Sequence, residues 1–115
     1  MTLLEELAEN GADISDGLNR LMNNEQIYIK LLKKLPDSIE KQEVLSFIES
    51  GDIPTAIQNA HTIKGVTGNL SVTPLYTAYT KIVNLLRAGN ISDARKLYVE
   101  TIPVQTKLLD IIRKY

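Results

Sequence analysis

Four short breaks divide this chain, and between them apolar residues recur every three or four positions. Asn10-Gly11, Gly51-Asp52, Thr73-Pro74 and Gly89-Asn90 each carry residues that end or begin helices. The segments they bound keep a helical period, and none shows the alternation of a half-buried strand. Several amphipathic segments with short connections have one economical solution, an up-down bundle in which each buries its apolar stripe against its neighbours.

Leu3, Leu4, Leu7 and Ala8 predict a short helix closed by Asn10-Gly11, with Glu5, Glu6 and Glu9 on its wet side. Asp13 to Asp16 supplies capping residues for a second short helix through Leu18, Leu21 and Met22. Tyr28, Leu31, Leu32 and Leu35 then predict a clear amphipathic helix. Pro36 is expected to interrupt it, because proline lacks the helical N–H and crowds the preceding turn. Asp37 and Glu40 can restart a helix as a capping box, leading to Ser50 with Ile39, Val44, Leu45 and Ile48 inward. Residues 25–50 are therefore one broken arm or two separate helices. Asp52 caps a helix from near Ile53 to near Leu70, with Pro54 in its tolerant first turn. Thr73-Pro74 caps and starts the next, striped by Leu75, Ala78, Ile82 and Leu85. Ser92-Asp93 caps the last, with Ala94, Leu97, Leu108 and Ile112 inward and Pro103 kinking or dividing it near Val99 to Ile102.

The only histidine lies in the run Ala60-His61-Thr62-Ile63-Lys64-Gly65-Val66-Thr67-Gly68-Asn69-Leu70. With about 100° per residue, Asn59, Ile63, Val66 and Leu70 fall opposite His61, and Ala56, Ala60 and Thr67 border that far arc. His61 shares its face with Ile57, Lys64, Gly65 and Gly68, so the imidazole points away from the core. Each mid-helix glycine costs about 1 kcal/mol relative to alanine. Two of them on the histidine face suggest a flank left bare for close approach, or else close helix packing. Lys64 lies one turn along, where its ammonium can serve an anion carried by the ring.

Those residues resemble the signature of histidine-containing phosphotransfer domains, the four-helix modules of phosphorelays. The matches are His61, Lys64 three residues on, Gly65 at the fourth position, Gly68 at the seventh, and Asn69-Leu70; Ser71 stands where a glycine is usual. Gly51-Asp52 before the histidine helix and Asn23-Asn24-Glu25-Gln26-Ile27-Tyr28 are further family-like details, and the resemblance spans roughly residues 11–100. It implies an all-α, up-down four-helix bundle with additional short N-terminal helices, as one domain over 1–115 (short helices in 1–23, bundle in 24–115). It also implies a phosphoryl carrier. His61 would be the phospho-acceptor, Lys64 would stabilise phosphate charge, and Ile57, Gln58, Gly65 and Gly68 would form the docking face. The partners implied are response-regulator receiver domains and, directly or through a receiver, a hybrid sensor histidine kinase. No cofactor is expected on this chain; Mg2+ would sit on the receiver.

Composition narrows the alternatives. The chain has 115 residues, 43% hydrophobic and 23% charged, no cysteine and a net charge of −1. That excludes a disulfide framework and a thiolate metal site, argues against a general nucleic-acid binder, and fits a cytoplasmic monomer. No apolar run approaches the ~18 residues of a membrane span. Eleven of the fourteen carboxylates lie at or before Asp52 and none between Ile53 and Ser92, a span carrying Lys64, Lys81 and Arg87. An acid-free neighbourhood would suit a phosphoryl group. An imidazole offers one nucleophilic nitrogen, but no GxxxxGK[ST] or kinase-like glycine loop is present, so the chain is not expected to draw phosphate from ATP. The alternative is a non-catalytic helical adaptor or dimerisation module on the same bundle.

Overall fold

The computed structural model describes all 115 residues and contains seven helices and no strand. They are α1 (Leu3–Glu9), α2 (Ile14–Arg20), α3 (Glu25–Glu40), α4 (Leu45–Glu49), α5 (Ile53–Asn69), α6 (Thr73–Arg87) and α7 (Ile91–Lys114). Packing runs from α3 to α5, α5 to α6, α6 to α7 and α7 back to α3, while α1 lies on α7 and α2 on α3. One cluster of 25 buried apolar residues joins them. No helix is long and apolar enough to cross a membrane.

The N-terminal helices form where capping chemistry favours them. Thr2 and Glu5 make a reciprocal capping box on α1, and the Asp13 carboxylate accepts the Asp16 N–H on α2. Leu3, Leu4 and Leu7 are buried as expected, whereas Ala8 is exposed. Met22 does not continue the α2 stripe. It is 92% exposed and, with Asn23, adopts a positive φ in the turn into α3.

The break in the 25–50 arm is displaced. α3 passes through Pro36 and ends at Glu40, and the chain leaves the helix at Lys41 to Val44 before α4. Burial of Leu32, Leu35, Pro36 and Ile39 holds the helix across the proline, whose cost in a helix interior is about 3 kcal/mol. The Asp37–Glu40 capping box does not form: Glu40 pairs with Arg113 of α7. Asn59 of α5 secures the displaced break, donating through Nδ2 to the Glu43 carbonyl at 2.7 Å.

Of the two outcomes expected at Pro103, division does not occur: α7 runs through the proline. Its ring removes the donor that would have met the Val99 carbonyl, and both residues are exposed, so water can serve that acceptor. Two expected caps also differ. α6 begins at Thr73 after Val72, and α7 begins at Ile91 after Asn90, neither with a side-chain cap. On α6 the buried stripe is Leu75, Tyr79, Ile82, Val83 and Leu86, with Ala78 and Leu85 only half-buried.

α5 follows its expected bounds. Asp52 accepts the Thr55 N–H at 3.3 Å and its hydroxyl at 2.7 Å, and Pro54 sits in the first turn. The buried face is Ala56, Ala60, Ile63 and Thr67, so the core lies toward one border of the arc opposite His61. At the far end the Val72 N–H reaches the Thr67 carbonyl at 2.9 Å and the Ser71 N–H reaches the Gly68 carbonyl at 3.1 Å. This is a Schellman closure, which needs a left-handed residue after the cap. Ser71 supplies it at φ +56°. The serine thus takes the conformation for which the resemblance expects glycine.

Candidate functional site

The α5 helix presents His61 at the surface, with no protein hydrogen bond to its ring. A shallow depression of about 360 Å³ opens beside it. From α5 it is lined by His61, Lys64, Gly65, Gly68 and Asn69; Asp13, Asp16 and Arg20 close it from the α2 side, and Ser71, Thr73 and Tyr76 from the α5–α6 turn and α6. Lys64 is half-buried and makes no ion pair. Four of the six expected site residues, His61, Lys64, Gly65 and Gly68, therefore share one concavity. Ile57 and Gln58 do not line it: Ile57 is half-buried against the core, and Gln58 is exposed elsewhere on the helix surface.

The two glycines differ in kind. A Cβ built on Gly65 meets nothing within 4 Å, so the flank of the imidazole is open there. A Cβ on Gly68 would stand 2.7 Å from Cδ1 of Tyr76, whose ring occupies the space. Gly68 thus serves close packing between α5 and α6 and does not leave its flank bare.

Nor is the neighbourhood acid-free. The span from Ile53 to Ser92 has no carboxylate, but α2 brings Asp13 and Asp16 to the rim. Both are engaged. Asp13 Oδ1 caps α2 through the Asp16 N–H at 3.1 Å. Asp16 Oδ2 accepts from the Ser71 hydroxyl at 2.6 Å and from Arg20 Nε at 2.8 Å. The Ser71 bond first, and the Arg20 bond second, hold the Asp16 carboxyl below the usual carboxylate range.

The second anchor of this corner is Tyr28. Its phenol is buried and donates to the Leu70 carbonyl at 2.7 Å, tying α3 to the end of the histidine helix. A Cβ on Gly17 would lie 2.3 Å from that phenol oxygen, so glycine lets α2 approach α3 closely enough to deliver Asp16 and Arg20.

No family model, curated protein or solved structure matches this chain. What the site can do must be read from its groups. No three His, Cys, Asp or Glu side chains are grouped to hold a metal ion. An accessible imidazole is a nucleophile, and the Lys64 ammonium and Arg20 guanidinium supply anion-binding donors around it. Sequence reasoning singled out His61 and Lys64, which line the depression, but passed over Arg20, Asp16, Thr73 and Tyr76. The signals were an Asp16–Arg20 pair at i,i+4 and a glycine, Gly17, inside a short helix.

Proposed function

We propose that this chain is a phosphorelay intermediate of the histidine-containing phosphotransfer kind. In this reading the ring of α3, α5, α6 and α7 is an up-down four-helix bundle, and the shorter helices are additions to it. His61 takes a phosphoryl group from an aspartyl-phosphate on a receiver domain and gives it to the aspartate of another. The imidazole lone pair attacks phosphorus, the acyl-phosphate P–O bond breaks, and the aspartate leaves as a carboxylate. The ring's other nitrogen can release its proton, leaving a phosphoramidate. Transfer back to a receiver is the reverse.

One observation carries the reading: an exposed imidazole in mid-helix beside an open glycine one turn away, with the unpaired Lys64 in the same depression. Phosphoryl transfer depends mainly on in-line positioning and charge neutralisation, and an open flank lets an acidic receiver pocket, carrying its own Mg2+, close over the ring. The chain acts as a carrier and not as an ATP-dependent kinase. A hybrid sensor histidine kinase, directly or through a receiver, is the upstream source, and the setting is cytoplasmic.

The test is uptake of acid-labile phosphate from receiver domains charged with acetyl phosphate. The wild type should be labelled and His61→Gln should not, with helicity and melting temperature nearly unchanged because the histidine is exposed. Equal labelling of the two proteins removes the assignment. Absence of label from both, with receiver binding retained, leaves an adaptor.

A further inference from the structure

Arg20 reaches the site from outside the histidine helix and has donors to spare. It makes one hydrogen bond, from Nε to Asp16 Oδ2 at 2.8 Å. A guanidinium carries five N–H donors, so the four on its two Nη atoms are uncommitted. Asp16 is itself fixed by the Ser71 hydroxyl, which is set by the left-handed turn that ends α5. The Nε edge of Arg20 is therefore held by an anchored carboxylate, and its side chain lines the same depression as His61 and Lys64.

We propose that Arg20 is a second phosphate-holding cation, which with Lys64 binds the oxygens of the phosphoryl group carried by His61. Asp16 is the positioning residue: it occupies Nε and leaves the Nη edge for the anion. Arginine suits this task because its planar fork matches the spacing of two phosphoryl oxygens, which a single ammonium cannot. The carboxylates on the rim do not defeat the site, since Asp13 caps α2 and Asp16 is bonded to Ser71 and Arg20. No bond is made or broken by Arg20. It acts on a group already joined to the ring nitrogen, and the inference rests on His61 being the acceptor.

The experiment loads the full chain with phosphoramidate, a donor small enough to need no protein docking, and follows the phosphohistidine by phosphorus NMR. A neighbouring cation favours the more highly charged phosphoryl form, so Arg20→Gln should raise the titration midpoint of the phosphoryl resonance. It should also slow loading by about three- to tenfold. Arg20→Lys should recover part of both effects. Arg20 is half exposed, so these variants should keep the wild-type melting temperature. Asp16→Asn should slow loading when Arg20 is present and have little further effect on Arg20→Gln, a coupling that a merely structural role would not produce. A wild type that is labelled on His61, with an Arg20→Gln variant of equal rate and midpoint, overturns this inference alone. A wild type that takes no phosphoryl group from any donor overturns the functional reading as well.

Discussion

At the scale of single residues, Gly65 and Gly68 separate two reasons for a glycine in a helix. Gly65 faces open space, so Gly65→Ala should stabilise the fold by about 1 kcal/mol, the difference in helix propensity. The same substitution at Gly68 must push the Tyr76 ring aside, so its gain should be smaller or absent. Urea denaturation of the two variants measures the contrast. If the proposed carrier function holds, Gly65→Leu should slow transfer from a receiver far more than labelling by phosphoramidate, because only a protein donor needs the open flank. Ser71 poses a different balance. Ser71→Ala keeps the left-handed strain and loses the bond to Asp16, so it should lower the melting temperature. Ser71→Gly loses the same bond but relieves about 1 kcal/mol of strain. Glycine should therefore be the milder substitution, and equal losses would mean that φ carries no strain here.

At the scale of elements, Gly17 decides whether α2 can reach the site. Gly17→Ala should gain about 1 kcal/mol of helix propensity. It places a methyl 2.3 Å from the buried Tyr28 phenol, which cannot swing into solvent. Overpacking of that kind costs about 1–3 kcal/mol, so the net effect should be a lower melting temperature and faster hydrogen exchange in α2. Unchanged exchange would show that α2 moves aside freely. The example also shows what could be read from the chain. The histidine helix was legible to within a residue because Asp52, Pro54 and the apolar spacing agree on one answer. The prolines were misleading: the local rule against Pro36 and Pro103 is correct for an isolated helix, but buried neighbours at one and solvent at the other settle the matter. The i,i+4 spacing of Asp16 and Arg20 and the glycine between them mark an ion pair and a close approach, but their place beside His61 depends on a tertiary contact across Gly17 that the sequence alone does not locate.

At the scale of the whole molecule, two tyrosines fasten segments far apart in the chain. Tyr115 donates from its phenol to Glu6 at 2.8 Å, and Lys114 pairs with the same carboxylate at 2.7 Å, fastening α7 to α1. Tyr28 does the corresponding task at the site, where its phenol holds the Leu70 carbonyl. Burial, then the charges of Asp13 and Asp16, push the Tyr28 phenol up to about 12. A tyrosine in the unfolded chain ionises near pH 10. Between those values the unfolded state binds fewer protons than the folded one, so stability must fall as pH rises across that window. Burial raises Tyr79 and Tyr98 in the same direction, so the fall is shared. Tyr28→Phe should therefore cost about 1 kcal/mol at neutral pH, by leaving the Leu70 carbonyl without its donor, and should make the alkaline decline shallower. Chemical denaturation between about pH 8 and about pH 12 checks both parts. The two curves should approach one another as pH rises, because the wild type progressively loses a bond that the variant never had. Parallel curves would mean that Tyr28 ionises no differently in the folded and unfolded chain, and that its bond to the end of the histidine helix does not stabilise this corner.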